Sequence, residues 1–292
     1  MHQPDASTRD SIGIIAGAGR FPFLVAAGAR RAGCRVDVIA IRGLADPGLA
    51  ELADRFRWSG VVRLGQWIRT LRRWGDSRAI LAGSVRKSEM YGRLRLLRYL
   101  PDWTSIRLWF FTVADKRNDT LLRAVADELA NHDITLENSV QYCPEDMAPE
   151  GVLTARKPSA AQLEDLEFGW KLAKELGRLD IGQSIAVKET EVIAVEAIEG
   201  TDRMIERAGQ LCKSGGWTLI KVAKPGQDMR FDVPTVGPDT IANLKRNGAN
   251  MLVVEAGTTL IVDRDKLIQA ADRAGIVVVG HRDPNTHSEP RP

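Results

Sequence analysis

Short apolar runs alternate with amphipathic stretches along the N-terminal part of this chain. Residues 12–16, 35–41 and 78–83 are apolar almost throughout, which is typical of strands buried on both faces of a parallel sheet. Between them, Trp67 and Trp74 stand seven positions apart, on one face of a predicted helix. The alternation therefore predicts a doubly wound parallel sheet in the first half of the chain.

Weaker patterns fill the rest of the first half. Residues 48–56, GLAELADRF, are predicted as a helix, and Val61–Val62 as a short strand behind it. A longer amphipathic helix is expected over residues 115–131. Residues 144–158 hold three prolines and a glycine, a composition that favours a crossing between two domains.

The second half alternates again, with a different order of elements. Residues 183–188 and 191–198 read as two strands joined by a tight turn, which predicts a hairpin or two adjacent strands. We therefore predict two α/β domains, a Rossmann-like N-terminal parallel sheet and a C-terminal mixed α/β domain. Their expected bounds are 12–150 and 151–280, with flexible tails at 1–11 and 281–292.

Composition excludes several classes of protein. Hydrophobic residues make up 44% and charged residues 27% of the chain, as in globular proteins. No apolar run approaches the roughly 20 residues that span a bilayer, and residues 1–11 lack the apolar centre of a signal peptide. The three cysteines form no CxxC pair, which favours free thiols in a reducing cytoplasm. The net charge of +3 indicates no general attraction to nucleic acid.

A glycine-rich turn follows the first predicted strand. Gly17, Ala18 and Gly19 precede a predicted helix, and such turns bring backbone N–H groups close to a phosphate. Pro22 stands where the dinucleotide fingerprint has its third glycine, and Arg42 follows the second strand where that fingerprint wants an acid. We therefore expect a phosphate or single-nucleotide ligand here. Dinucleotide binding and a purely structural turn are the alternatives.

Arginines are concentrated in the middle of the chain. In residues 83–111 leucines and aromatic residues are interleaved with arginines, a pattern that suits contact with a membrane surface or an acyl chain. A core helix with solvated arginines is the alternative. Arg86 and Lys87 directly follow a predicted strand, where they would be placed to meet a phosphate.

Two acidic turns mark the second half. The first holds Glu196, Glu199 and Asp202, and in the second Asp228 and Asp232 flank Arg230, with Lys221 and Lys224 upstream. Carboxylates beside cations suit Mg²⁺ held next to a phosphate. A capped helix and a surface loop with ion pairs are the alternative. The HExxH, GxxxxGK[ST] and GxSxG motifs do not occur.

Eight stretches in one order carry a resemblance to a known family. They are GAGRFP, AGSVRK, DKRND, LTARKPS, DIGQSIAVK, AVEAIEGTD, KVAKPGQDMRFDVPTVG and VEAG. With these motifs the chain resembles the UDP-2,3-diacylglucosamine pyrophosphatases of the non-calcineurin type, which serve lipid A and hence lipopolysaccharide biosynthesis. The resemblance runs from about residue 12 to 280.

The resemblance implies a metal-dependent hydrolase that acts on an acid anhydride. Its substrate would be UDP-2,3-diacylglucosamine, split by water attack on the α-phosphorus into UMP and 2,3-diacylglucosamine 1-phosphate (lipid X). The family implies a requirement for Mg²⁺, which Mn²⁺ would be able to replace. It also implies a homodimer, an active site in the cleft between two α/β domains, and a cytoplasmic enzyme peripheral to the inner membrane.

The family motifs also imply roles for individual residues. Asp232 in FDVPTVG maps to the essential catalytic aspartate. Substrate contacts are expected from Gly17, Ala18, Gly19, Arg86, Lys87, Asp119, Thr201, Asp202, Lys224 and Arg230, and metal contacts from Asp232, Asp202 and Glu199. Two rival functions stay open, a Rossmann-type NAD(P)-dependent oxidoreductase and a lipid- or nucleotide-binding protein without catalysis.

Overall fold

The computed structural model describes residues 10–85, 101–108, 118–225 and 227–282, and it divides into two compact units. Unit 1 comprises the chain up to Pro144 together with Asp228–Asp232. Unit 2 comprises Glu145–Gln227 and the chain from Val233 onward. The short segment 228–232 thus belongs to unit 1, although the residues before and after it in sequence belong to unit 2. The pattern of helices and strands does not predict this assignment.

Unit 1 is built on a five-stranded sheet in which every neighbouring pair is parallel. The strand order is β3-β2-β1-β4-β5, so the direction of chain progression reverses between β1 and β4. This confirms the predicted parallel sheet. The strands are β1 Ser11–Ala16, β2 Arg35–Ile41, β3 Arg55–Ser59, β4 Arg78–Ala82 and β5 Thr135–Leu136.

Helices pack on this sheet through the apolar faces that the sequence indicates. Pro22 lies in the first turn of its helix, where its missing N–H costs no hydrogen bond. Trp67 and Leu71 of the second helix are buried in the core of the unit. The helices are α1 Phe21–Arg31, α2 Leu64–Trp74, α3 Trp103–Arg107 and α4 Asn118–Ala130.

The predicted helix at 48–56 and strand at Val61–Val62 are wrong. A 3₁₀-helix occupies Pro47–Leu52, and β3 follows it directly at Arg55–Ser59. The physical reason is the two-residue alternation of Phe56 and Trp58 with arginines, which suits a strand at the edge of a sheet.

Unit 2 contains a six-stranded mixed sheet with the order β6-β13-β11-β9-β7-β8. Its centre is parallel, and β7 and β8 form the predicted antiparallel hairpin. A separate parallel pair joins β10 and β12. The strands are β6 Gly151–Val152, β7 Ser184–Lys188, β8 Glu191–Val195, β9 Trp217–Lys221, β10 Thr235–Val236, β11 Ala249–Glu255, β12 Leu260–Ile261 and β13 Val277–His281.

Both faces of this mixed sheet are covered by apolar cores. Trp217 and Leu252 belong to one cluster, whereas Trp170 and Ile220 belong to another. A capping box around Ser159 starts the long first helix of the unit. The helices are α5 Ala160–Arg178, α6 Thr201–Leu211, α7 Pro238–Arg246 and α8 Arg264–Ala274. Within the described ranges, none of the helices has the length and apolarity needed to cross a membrane.

Candidate active site

The glycine turn lies at the point where the strand order of unit 1 reverses, which is where open α/β sheets hold their ligands. It follows β1 and meets the loop that follows β4. Gly17 donates its N–H to Ala82 O at 2.7 Å, and Ala18 donates its N–H to Ser84 O at 3.0 Å. Two backbone donors of the turn are therefore already engaged, one by the end of β4 and one by the loop that follows it.

Close backbone packing explains one of the two glycines. A Cβ atom at Gly17 would lie 2.8 Å from Ser84 O, whereas one at Gly19 would meet nothing within 4 Å. Gly19 instead has a φ of +95°, a conformation that L side chains rarely adopt. The turn thus has a structural reason for both glycines, and a phosphate there would draw on Gly19 and the start of α1 rather than on Gly17 and Ala18.

Three predicted contacts of this unit lie beyond what the structure describes. Arg86 and Lys87 directly follow the described part of the β4 loop, which ends at Val85, and fall outside the described residues. Asp119 lies in the first turn of α4, but its side chain falls outside the described part of the chain. Their roles stay predictions.

A buried polar cluster lies at the carboxyl end of β9 in unit 2. Lys221 is the last residue of that strand, and its Nζ donates to Thr201 Oγ1 at 3.1 Å. Thr201 in turn donates to Glu196 Oε2 at 3.0 Å, and Ser184 Oγ lies 3.3 Å from the same hydroxyl. One hydroxyl therefore joins four chain segments, with one hydrogen to give and two lone pairs to accept.

The cluster meets the beginning of a helix. Gly200, with a φ of +82°, precedes Thr201, which is the first residue of α6. The first backbone N–H groups of a helix have no partner within it, and the helix dipole favours negative charge there. Because the Lys221 ammonium has two further hydrogens, the arrangement suits binding of a phosphate oxygen.

The two predicted metal carboxylates of this turn differ in their surroundings. Asp202 is exposed in the first turn of α6. Glu199 bonds to Arg207 and also accepts the Ala197 N–H at 3.2 Å. The hydrogen bond from Arg207 lowers the pKa of the Glu199 carboxyl. Glu199 is thus ionised, but its oxygens are engaged by protein donors.

An ion pair that the sequence analysis missed lies on the same edge of the sheet. Lys174 of α5 donates to both oxygens of Glu255, at 2.9 and 3.0 Å, and Glu255 also accepts the Ala223 N–H at 2.8 Å. Glu255 ends β11. The VEAG motif marked the glutamate, but its partner lies 81 residues away in sequence, so spacing gave no signal for it.

The predicted catalytic aspartate, Asp232, lies in the segment Asp228–Asp232, which belongs to unit 1. Met229 O accepts the Ser139 hydroxyl at 2.6 Å, and Phe231 packs against the core of unit 1. Asp232 closes this turn with its N–H donating to Asp228 O at 3.3 Å, and its residue is exposed. Local backbone bonds thus hold the aspartate at the surface of the unit.

Arg230, a predicted phosphate ligand, already binds a carboxylate. Its Nε and Nη2 donate to Asp228, the shortest bond being 2.6 Å, and its guanidinium lies 4.9 Å from the Phe231 ring centre. The hydrogen bond from Arg230 lowers the pKa of Asp228. Because a guanidinium has five N–H donors, Nη1 keeps hydrogens for a substrate oxygen.

Lys224 likewise has a carboxylate partner. Its Nζ donates to Asp180 Oδ1 at 2.6 Å, and its backbone N–H donates to Gln227 Oε1 at 2.9 Å. Asp180 is half exposed, so this pair is screened by water. A phosphate would have to share the ammonium group with Asp180.

The donor set fits Mg²⁺ in part. In the described part of the chain no three metal-binding side chains come together, and Mg²⁺ commonly takes only one or two carboxylates besides water and substrate oxygens. Asp232 and Asp202 are exposed carboxylates of the kind this ion prefers. Glu199 fits less well because Arg207 holds it.

Comparison with known proteins identifies the family. A model described as the LpxI N-terminal domain matches residues 11–145, and one described as the LpxI C-terminal domain matches residues 149–279. The chain belongs to the LpxI family. The resemblance that the sequence motifs indicated is thereby confirmed at the level of the family.

One relative and one solved structure give the extent of the likeness. The UDP-2,3-diacylglucosamine pyrophosphatase LpxI of Caulobacter vibrioides is 34% identical over 281 residues, which cover 92% of this chain and 96% of the relative. The biotin carboxylase domain of Hydrogenobacter thermophilus 2-oxoglutarate carboxylase matches at 15% identity over 70% of this chain and 41% of that one, with a TM-score of 0.22. That likeness is too weak to carry an argument.

Proposed function

We propose that this chain hydrolyses the pyrophosphate bond of UDP-2,3-diacylglucosamine, releasing UMP and 2,3-diacylglucosamine 1-phosphate for lipid A biosynthesis. The observation that carries the proposal is the 34% identity, over nearly the full length of both chains, to a relative whose name states this activity. The water oxygen bonds to the α-phosphorus, the bond from that phosphorus to the bridging oxygen breaks, and the sugar phosphate leaves with the bridging oxygen.

Asp232 is the proposed catalytic residue. Its carboxylate would orient the attacking water and accept a proton from it. The exposed position of Asp232, on a turn held by Asp228 and by packing of Phe231, supports this role because water and substrate reach it without rearrangement of the core. Arg230, through Nη1, would bind a phosphate oxygen beside it.

The buried cluster of unit 2 is the proposed phosphate-binding element. Lys221 would neutralise an oxygen of the pyrophosphate, while Thr201 and Asp202 would present the N–H groups at the start of α6. The hydrogen bonds from Thr201 to Glu196 and from Lys221 to Thr201 hold both side chains in place. Such positioning lowers the cost of reorganisation when charge develops on the phosphorus.

Mg²⁺, or Mn²⁺ in its place, is the proposed cofactor. When bound, a divalent ion supplies charge neutralisation on pyrophosphate oxygens. Asp232 in unit 1 and Asp202 in unit 2 are each proposed as a ligand, and Glu199 would become one only by releasing Arg207. In unit 1, Gly19 and the beginning of α1 are proposed to contact the UDP group, with Arg86, Lys87 and Asp119 as further predicted contacts.

We further propose a cytoplasmic homodimer, as the family resemblance implies, and peripheral association with the inner membrane, because the proposed substrate carries two acyl chains. Nucleic acid is not a proposed partner, since the net charge is only +3. Gel filtration and sedimentation with membrane vesicles test these two properties independently of catalysis.

The decisive experiment measures UMP release from UDP-2,3-diacylglucosamine with Mg²⁺ and then with EDTA. We expect metal-dependent release by the wild type and its loss in Asp232→Ala. Asp239→Ala is the matched control because Asp239 is also exposed and follows the same stretch. In H₂¹⁸O the label should enter UMP and not the sugar phosphate, since the α-phosphorus is attacked.

Two outcomes would count against the proposal. A folded wild type that binds the substrate but releases no UMP would support the binding-protein alternative. Release by Asp232→Ala at the wild-type rate would remove Asp232 from the mechanism while leaving the activity in place.

A further inference from the structure

A cavity of about 210 Å³ lies beside the edge strand of unit 1, apart from the glycine turn. Among the described residues, all the lining side chains are polar. They come from β3, from the loop that follows it, from α2 and from the residue before α3, and they are Arg57, Arg63, Gln66, Arg69, Thr70, Arg73 and Asp102.

Positive charge dominates this cavity. The described lining contains four guanidinium groups and one carboxylate, that of Asp102. The Asp102 oxygens already accept hydrogen bonds, Oδ1 from the Ser105 N–H and hydroxyl at 3.0 and 2.9 Å, and Oδ2 from the Gln66 N–H at 2.9 Å. The carboxylate therefore fixes the start of α3 and leaves little capacity to pair with the arginines.

Within the described ranges, three arginines of the cavity lack the carboxylate partner that several other arginines have. Arg35, Arg107 and Arg207 each form a salt bridge with a carboxylate. No carboxylate in the described ranges forms a salt bridge with Arg57, Arg69 or Arg73. Arg69 and Arg73 also stand at i and i+4 on α2, where like charges destabilise a helix. A bound anion would remove this repulsion.

We propose that this arginine cavity binds a small anion of the phosphate class. Bidentate guanidinium groups match phosphate oxygens in geometry and charge. The volume lies below the roughly 300 Å³ at which sites for drug-sized ligands begin, so the cavity suits a phosphate or pyrophosphate group rather than a whole nucleotide sugar. The β3 strand is two positions from β1 in the sheet, about 10 Å away, so the site is separate from the β1–β4 turn.

The phosphate group has two chemical sources, a free anion or a lipid headgroup. Trp103 follows Asp102 and exposes 73% of its surface. Exposed tryptophan beside arginine is favoured at membrane interfaces. The experiment therefore needs one assay for each source.

The first assay is calorimetric titration of the full-length protein with inorganic pyrophosphate. We expect the double variant Arg69→Glu/Arg73→Glu to weaken binding at least about tenfold, because charge-assisted hydrogen bonds are lost and repulsion is added. Arg72→Glu is the matched control, since Arg72 lies on the same helix, is exposed and does not line the cavity. It should stay within about twofold of the wild type.

The second assay is sedimentation with phosphatidylcholine vesicles, with and without phosphatidylglycerol. If the phosphate belongs to a lipid, the wild type should pellet only with phosphatidylglycerol, and the double variant should not. Tryptophan emission should shift to the blue on binding, and Trp103→Phe should reduce that shift. A free anion as ligand predicts the pyrophosphate result without these changes.

The outcomes separate cleanly. Loss of either form of binding in the double variant but not in Arg72→Glu supports the site. The form that is lost shows whether the phosphate group comes from a free anion or from a lipid headgroup. Absence of both forms of binding in the wild type, unchanged binding in the double variant, or equal loss in Arg72→Glu overturns it. If the double variant fails to fold by circular dichroism, Arg57→Gln/Arg73→Gln replaces it. Because the proposed phosphate-binding cluster around Lys221 would also take up pyrophosphate, the titrations are made in the Lys221→Met background and UMP release is not a readout, so this proposal and the proposed activity fail independently.

Discussion

Two buried polar clusters lie at opposite ends of their strands, and only one of them is built like a ligand site. In unit 1, Arg35, Asp37 and Asp76 gather at the amino end, near the start of β2 and before β4. In unit 2, Lys221 and Thr201 gather at the carboxyl end of β9. Both clusters bury charged groups, but one lies at the amino ends of its strands and the other at the carboxyl end.

In the cluster of unit 1, two buried carboxyl groups share one nearby arginine, so ionising both of them is unfavourable. Arg35 Nε donates to Asp37 Oδ2 at 3.1 Å, and Arg35 Nη2 lies 3.7 Å from Asp76 Oδ1. Burial raises the pKa of Asp76 to about 6 and raises the pKa of Asp37 as well. The cluster therefore retains a proton in the folded protein above the pH at which a solvated aspartate loses it.

The cluster of unit 2 is balanced by hydrogen bonds and meets a helix N-terminus. Glu196 and Lys221 flank the hydroxyl of Thr201 and carry opposite charges. Loops at the carboxyl ends of parallel strands build ligand sites, whereas connections at the amino ends mainly serve stability. The comparison teaches that strand direction, rather than burial or a shifted pKa, separates a candidate binding cluster from a structural one.

The largest expected effect comes from the ligand-type cluster. Lys221→Met keeps the length and apolar stem of the side chain and removes its charge. We expect kcat/KM for UMP release to fall about a hundredfold, which corresponds to about 2.7 kcal/mol, because a positioned donor to the phosphate is lost. Steady-state kinetics measures this.

A matched control separates charge at this position from charge in general. Lys213→Met removes an exposed lysine of the same unit and should leave kcat/KM unchanged. Thermal melting should show that Lys221→Met is folded. Near wild-type activity in a folded Lys221→Met would contradict the proposed role of the unit 2 cluster in binding phosphate. The polar clusters of unit 1 and unit 2 would then no longer differ in function.

The next largest effect concerns the carboxyl edge of the sheet in unit 1. Gly17→Ala would place a Cβ atom 2.8 Å from Ser84 O, a backbone atom that cannot swing away. We expect the free energy of unfolding to fall by about 1–3 kcal/mol, as in overpacked cores, with KM altered less than stability. Denaturant unfolding and substrate kinetics measure the two quantities.

Gly60→Ala is the control for this substitution. Its added Cβ would lie 3.3 Å from carbons of the flexible Arg63 side chain, which can move. An unchanged stability with a strongly raised KM in Gly17→Ala would mean that the turn serves the ligand directly, like the cluster of unit 2.

The sequence predicted the helices and strands of the fold better than it predicted which side chains contact one another. Apolar runs such as 35–41 predicted the parallel strands because burial on both faces leaves a continuous signal. The sequence analysis did not predict the strand at Arg55–Ser59, because arginines that alternate with aromatic residues also fit an exposed helix. The hairpin was predicted because a tight turn separates two short strands.

The polar contacts of the candidate site join residues that are distant in sequence. Thr201 meets Lys221 twenty positions later and Ser184 seventeen positions earlier, and periodicity gives no information on such pairs. Motifs marked Thr201, Asp202 and Asp232 as important, but they did not show that Arg207 holds Glu199. Topology brings these partners together, so only the folded chain reveals them.

The smallest expected effect tests the structural cluster through pH. The unfolded chain releases the Asp76 proton near pH 4, whereas the folded chain holds it to about pH 6. Between these values the folded state binds more protons, so the free energy of unfolding should fall as pH rises from about 4 to 6. Asp76→Asn cannot ionise and should flatten this decline, with a gain of about 0.5–1 kcal/mol at pH 8.

Urea unfolding at a series of pH values measures this difference, with Asp133→Asn as the control. Asp133 is exposed in unit 1 and has a φ of +62°, which asparagine adopts readily, so its replacement should leave the pH profile unchanged. UMP release by Asp76→Asn should match the wild type, because the amino end of the sheet has no proposed role in catalysis. A loss of activity without a change in stability would place a functional group at that end, and strand direction would no longer separate the two clusters.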